Sequence, residues 1–174
     1  MVTMSVRSAV HEALTTTEHS AVHLEMRDVY PTDDPAFVDW RHGVGNQAQR
    51  YRSWSELVAG TVARGVVVKR ARIISEPVSE YIRFEYDITA GVNVAAGEEV
   101  RWLPRRRASD LALPGNDFWL FDDTLVIFNH FSGDGSTSDP FEESSTDPAA
   151  VALCTSAFNA VWERALPHET YRPT

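Results

Sequence analysis

The chain has 174 residues, 43% of them apolar and 24% charged, which is the composition of a folded domain and excludes collagen, coiled coil and low-complexity disorder. No stretch approaches the run of about 20 apolar residues that a membrane helix needs. The first residues carry no continuous apolar segment, and the one cysteine, Cys154, permits no internal disulfide, so a cytoplasmic protein is expected. A formal net charge of −9 repels nucleic acid and anionic lipid, and 15 of the 16 basic residues are arginines, dispersed apart from one cluster.

In chain order, residues 5 to 17 read as a short helix, with Val6, Val10, Ala13 and Leu14 at helical spacing. Residues 21 to 27 alternate, which puts Val22, Leu24 and Met26 on one face of a strand. Asp33 or Asp34 caps a following helix that begins with Pro35, carries Phe37, Val38 and Trp40, and ends at Gly43 and Gly45. These elements, residues 5 to 45, read as an N-terminal subdomain packed on a core of residues 53 to 174, all within one domain.

Ser53 and Glu56 have the spacing of a capping box for a helix that stops at Gly65. Residues 66 to 75, β-branched at both ends, follow as a partly buried strand. Pro77 opens either a helix from Val78 to Tyr86 or, with its aromatics and Ile88, a strand; periodicity leaves both open. Residues 91 to 97 read as a loop, 99 to 103 as a strand cut off by Pro104, and 105 to 111 as one helical turn. Phe118 to Phe121 and Thr124 to Phe128, joined by Asp122 and Asp123, make a β-hairpin. Residues 132 to 147 read as a polar loop, and Asp147-Pro148 caps a last helix with the stripe Val151, Cys154, Phe158, Val161 and Trp162. That stripe should cover one face of the hairpin, with Trp162 deep in the core; the helix from Ser53 or a partner subunit should cover the other. The fold class expected is α/β, a mixed β-sheet with packed helices.

No metal and no cofactor is expected. His11-Glu12 lacks a second histidine at zinc spacing, the loop at 134 to 145 lacks the glutamate of a calcium loop, and no GxSxG, GxGxxG or GxxxxGK[ST] occurs. Three groupings still bear chemistry. His130 follows Asp117, Asp122 and Asp123 along the hairpin, a set capable of acid-base work. Arg105, Arg106 and Arg107 follow Trp102, a combination able to grip phosphate or stack on a base, with Arg101 nearby. Glu76, Tyr81, Arg83 and Glu85 lie past the end of the strand 66 to 75, where α/β sheets tend to bind ligands.

Several stretches together carry a resemblance: residues 18 to 21 and 24 to 27, Ser75 to Glu85, Ala96 to Arg101, Asp117 to Asp123, Asp147-Pro148, and Ala165 to Pro167. In this order, over residues 8 to 171, the chain resembles an actinobacterial family of domains of unknown function, DUF6879. The resemblance implies a cytoplasmic protein, often accompanied by helix-turn-helix regulators, with no established activity. The serine-rich residues 132 to 146 depart from the regular hairpin usual in similar proteins. More distantly, the order of strands, hairpin and terminal helix is similar to a phospholipase D half-fold. With the aspartate of that family's HxKxxxxD pattern laid on Asp122, Gly115 stands at the histidine and Asp117 at the lysine, so the catalytic pair is missing.

These observations lead to a non-catalytic regulatory or protein-interaction domain of a bacterial protein, its partner a protein such as a helix-turn-helix regulator, or a second copy in a homodimer. Trp119 and Asp122 of the hairpin join the candidate contact residues. Two alternatives stand beside it. One is a small-molecule sensor or enzyme whose pocket gathers Glu76, Tyr81, Arg83, Asp117 and His130; the other is a nucleic-acid contact through Arg101 and Arg105 to Arg107. Membrane contact is not expected, and nucleic acid is the weakest partner class for so acidic a chain.

Overall fold

The computed structural model describes residues 8–174, so Val6 of the first helix lies outside the described residues. Seven strands form one sheet: β1 (Ser20–Glu25), β2 (Val67–Ile74), β3 (Glu99–Pro104), β4 (Phe118–Phe121), β5 (Leu125–Phe131), β6 (Thr137–Ser145) and β7 (Leu166–Pro167). Their order is β6-β5-β4-β1-β2-β3-β7. The β1-β2 and β2-β3 pairs are parallel and the others antiparallel, giving the mixed sheet expected. Among the described residues there are six α-helices: α1 (Ala9–Thr16), α2 (Pro35–Arg41), α3 (Gln47–Arg50), α4 (Arg52–Ala63), α5 (Glu80–Val92) and α6 (Pro148–Arg164). Among the described residues no helix is long and apolar enough to cross a membrane.

The expected N-terminal subdomain contributes β1 to the same sheet as the core strands. β1 runs in the middle of the sheet, bonded to β4 on one side and β2 on the other. Local patterning shows that a segment is a strand; its neighbours are set by long-range packing.

Several element boundaries differ from those read locally. α4 begins at Arg52 with Tyr51 at its N-cap, so Ser53 lies inside the first turn and forms no capping box. Residues 80 to 92 are a helix, with the Ser79 hydroxyl accepting from the Ile82 amide, which settles the open choice between helix and strand. The segment 132 to 147 contains β6, paired with β5 from Val126 opposite Ser145 to Phe131 opposite Thr137. Its sequence, TSDPFEESS, has no apolar alternation because an edge strand outside the core is held by backbone hydrogen bonds and not by burial.

The expected caps do form at two helices, where Asp34 accepts from the Ala36 amide and Asp147 from the Ala149 amide, each followed by proline. The hairpin is as expected. Asp122 and Asp123 both have positive φ, 48° and 52°, the conformation of a type I′ turn that matches the twist of the strands it joins.

The two faces of the sheet are covered by different helices. α6 lays Cys154, Phe158 and Val161 on Leu24, Ile73, Leu103, Phe118 and Leu120. On the opposite face α1 and α4 pack Leu14 and Val58 against Ala21, Val68, Trp119, Phe121 and Ile127, so this chain's own helices close that side of the hairpin. Trp162 is half-buried, stacked on Phe158 and overlaid by Arg101 at 4.3 Å and Lys69 at 5.1 Å, instead of lying deep in the core.

Asp122 ties the hairpin to the central strand. Its carboxylate accepts the Glu18 amide at 2.9 Å and the His19 and Ser20 amides at 2.8 Å each. Burial raises its pKa, but these amide bonds outweigh burial and hold it down at about 2. A folded value below the unfolded one adds stability above the ordinary carboxylate range, and that gain is lost between about pH 4 and pH 2. Asp122→Ala should cost about 1–2 kcal/mol at pH 7. In urea unfolding at falling pH the gap between variant and parent should close; a gap that persists at pH 2 would show that the carboxylate charge is not what holds the strand.

Candidate functional site

On the face covered by α4 and α5, β1 and β2 place charged side chains where a sheet normally buries apolar ones. Register puts His23 opposite Arg70 and Glu25 opposite Arg72. Because successive side chains alternate between faces, these four point the same way, while Val22, Leu24, Ala71 and Ile73 point into the core under α6. All four are buried.

Glu25 bridges the two arginines. It accepts from Arg70 Nη1 through Oε1 and from Arg72 Nε through Oε2 at 2.6 Å. Arg70 Nε donates to Glu98 Oε1 at 2.7 Å, and Asn93 Nδ2 donates to Glu98 Oε2 at 2.6 Å. Arg72 Nη1 donates to the Thr89 hydroxyl at 2.7 Å. His23 stacks on Trp119, ring centroids 4.4 Å apart, and its Nδ1 donates to the Phe118 carbonyl at 2.8 Å. Its Nε2 stands 3.2 Å from Glu25 Oε1, an ion pair when the imidazole is protonated.

Glu85 of α5 completes the cluster without being satisfied by it. Among the described residues its buried Oε2 has no hydrogen-bond partner, and Arg72 Nε, 3.6 Å away, is an ion-pair neighbour too distant for a hydrogen bond. Two carboxyls in one cluster are thereby driven apart. Burial raises both, but Arg72 and Arg70, with the His23 bond, hold Glu25 well below the ordinary range. At Glu85 burial prevails over Arg72 and Arg70, and with the charges of Glu25 and Asp117 it lifts the carboxyl to about 8. Carboxyls driven apart in this way beside a cleft mark a candidate functional site.

A pocket of about 210 Å³ opens over this cluster, walled by Tyr51, Trp54, Tyr81, Phe84, Ile88 and Trp119. An adjoining pocket of about 270 Å³ shares His23, Glu25, Trp54 and Trp119 and adds Tyr30, Asp117 and Asn129. There Asp117 accepts from the Tyr30 hydroxyl at 2.5 Å and the Met26 amide at 2.8 Å, and burial raises its pKa. A larger hollow of about 640 Å³ beside α4 is lined mainly by exposed residues such as Asn46, Arg52 and Glu56 and holds none of these buried charges. Among the described residues no group of three metal-ligating side chains forms a metal site.

The residues singled out from sequence are mostly scattered. Tyr81 and Trp119 line the first pocket and Asp117 the second. Glu76 is exposed and accepts from the Tyr171 hydroxyl at 2.7 Å, and Arg83 is half-buried on α5 without lining either pocket. His130 points to the α6 side of the sheet and pairs with Glu143 at 2.8 Å, so it cannot work with Asp117 or Asp122. Asp122 serves the hairpin turn.

The arginine cluster is divided as well. Arg101 donates to the Trp162 carbonyl, and Arg105 clasps the ends of β1 and β2 through the Met26 and Ile73 carbonyls and the Ser75 hydroxyl. Arg106 and Arg107 alone are exposed. The end of β2, where a pocket was expected, is filled by this clasp and by Asp28, which accepts from the Ser75 amide at 2.6 Å.

The residues missed are His23, Glu25, Arg70 and Arg72, in strands whose polar positions read as a solvent face, and Glu98, just before β3. The available signal was the pairing of opposite charges on neighbouring strands, which needs the register to be seen.

The sheet order, the helices on both faces and the terminal helix define a mixed α/β fold. Among solved structures the chain is similar to the phospholipase D family member Nuc from Salmonella typhimurium, with 14% identity, TM-score 0.50, and 94% of this chain and 88% of that one covered. It is also similar to NucT from Helicobacter pylori, with 9% identity, TM-score 0.53, and 91% and 88% covered. TrmBL2, an archaeal chromatin protein, matches at 16% identity and TM-score 0.48 over 90% of this chain, which spans about half of that protein's length. No curated protein matches the chain. Residues 8–173 match the family described as Domain of unknown function (DUF6879), and the chain belongs to that family.

Proposed function

We propose that this is a small-molecule-binding domain on a phospholipase D-like fold, a sensor whose ligand occupies the pocket between α4, α5 and the faces of β1, β2 and β4. The observation that carries this reading is Glu85, a buried carboxyl with an unpartnered oxygen in an aromatic-walled pocket. Buried polar atoms are nearly always paired, and an orphan costs about 1–3 kcal/mol, so its retention beside a cavity fits a group that a ligand satisfies. The aromatic walls supply the apolar contact typical of such sites.

Phosphodiester hydrolysis by the His-Lys pair has less support. Asp117 stands at the lysine position and is bonded to Tyr30 and Met26, and Gly115 stands at the histidine. In the regulatory role proposed here, ligand occupancy is what the domain reports to a protein partner.

A thermal-shift screen of metabolite-sized compounds tests the reading. A ligand at 100 times its Kd stabilises by about 2.7 kcal/mol, which raises Tm by roughly 5–10 °C in a chain of this size. The same compounds should quench Trp54 and Trp119 and lose their effect in Ile88→Trp, which fills the pocket. Shifts that survive Ile88→Trp, or a screen with none, would overturn the proposal.

A further inference from the structure

We infer that the pocket takes a small organic cation, which donates hydrogen bonds to Glu85 while its apolar part lies against the aromatic wall. The inference rests on the ligand-pocket reading above. Each guanidinium is anchored through two of its three nitrogens, Arg70 by Nε and Nη1 to Glu98 and Glu25, and Arg72 by the same two nitrogens to Glu25 and Thr89. Once ionised, the unsatisfied carboxylate can only accept, so the ligand complementary to that form is a donor.

Charge points the same way. The groups facing Glu85 are His23 and Glu25 from β1, Arg70 and Arg72 from β2, and Asp117 before β4, with Tyr51 and Tyr81. The two guanidiniums are matched by the carboxylates bonded to them, Glu25 and Glu98, and an ionised Glu85 is the uncompensated charge. A monocation neutralises it, whereas an anion would add to the excess. Tyrosine and tryptophan faces also attract cations.

The pH dependence has a definite sign. The free Glu85 carboxyl titrates at about 8, so below that value cation binding must expel its proton. Affinity should therefore fall about tenfold for each pH unit below 8 and level off above it. The same raised value makes the ionised group destabilising as pH climbs from the unfolded range to 8. Glu85→Gln should accordingly be folded, with a Tm at pH 9 equal to or above that of the parent.

Three near-isosteric probes test the inference: benzamidinium, benzamide and benzoate, titrated calorimetrically against the intact chain. At pH 9 benzamidinium should bind at least about tenfold more tightly than the other two, the difference expected of a charge-assisted hydrogen bond. Glu85→Gln should remove that advantage while leaving benzamide within about threefold, and should abolish the pH dependence. If Glu85→Gln does not fold, the three-probe comparison on the parent decides alone. Benzamide or benzoate binding as tightly as benzamidinium would overturn the cation and leave the pocket standing. No benzamidinium binding up to ~10 mM would likewise overturn the inference, whereas the pocket falls only if the broader screen also fails.

Discussion

Glu25→Ala should cost about 3–5 kcal/mol, a large share of the 5–15 kcal/mol that holds a typical domain together. The cost is not the value of an ion pair. Glu25 is the one carboxylate bonded to both Arg70 and Arg72, and all three side chains are buried. Its removal strands two guanidiniums in low dielectric, with Glu98 still on Arg70 but only Glu85, 3.6 Å away, beside Arg72. Glu25→Gln should cost nearly as much, since it keeps the shape and loses the charge. Glu85 should respond as well: with Glu25 gone it becomes the counter-ion of Arg72, and its carboxyl should titrate at lower pH, readable by NMR. Denaturant unfolding at pH 7 measures the loss, with exposed Arg106→Ala as a control expected within about 0.5 kcal/mol. A loss under 1 kcal/mol for Glu25→Ala would mean that water reaches the cluster freely and that the site is not a desolvated pocket.

Phe118→Ala should be equally damaging, at about 3–5 kcal/mol. Phe118 is completely buried between the sheet and α6, in edge-to-face contact with Phe128, and the rigid hairpin gives the void little chance to collapse. Trp162→Ala, although it removes a larger ring, should cost only about 2 kcal/mol. Its indole is half-buried and holds Arg101 and Lys69 over it, contacts worth about 0.5–1 kcal/mol each at partly exposed positions. Equal losses for the two variants at unchanged m-value would place the core further along α6 than the structure does.

Much of the fold was legible in the chain because it depends on neighbours in sequence. The hairpin follows from two apolar runs around Asp122-Asp123, α2 and α6 from Asp-Pro caps, and the covering of Phe118 and Leu120 from the stripe on α6. Where local signals were ambiguous or absent, the sequence misled. The Ser53 capping box is replaced by a helix start two residues earlier, and β6 has no apolar pattern because it is an edge strand paired with β5 by backbone bonds.

The candidate site was hidden for a related reason. Glu76, Arg83 and His130 were grouped by nearness in sequence to Tyr81 or Asp117, yet a period of two sends His130 through the sheet, and α5 carries Arg83 away from the pocket. His23, Glu25, Arg70 and Arg72 look in sequence like the wet side of two half-buried strands. Composition, periodicity and capping thus determined the α/β class, the hairpin and the helix that closes one face. Only the tertiary structure decided that β1 is central, that its polar face lies beneath α4 and α5, and that Glu85 stands there beside arginines bonded to other carboxylates. Burial and register join residues up to 73 positions apart, from Glu25 to Glu98, and no local window contains both.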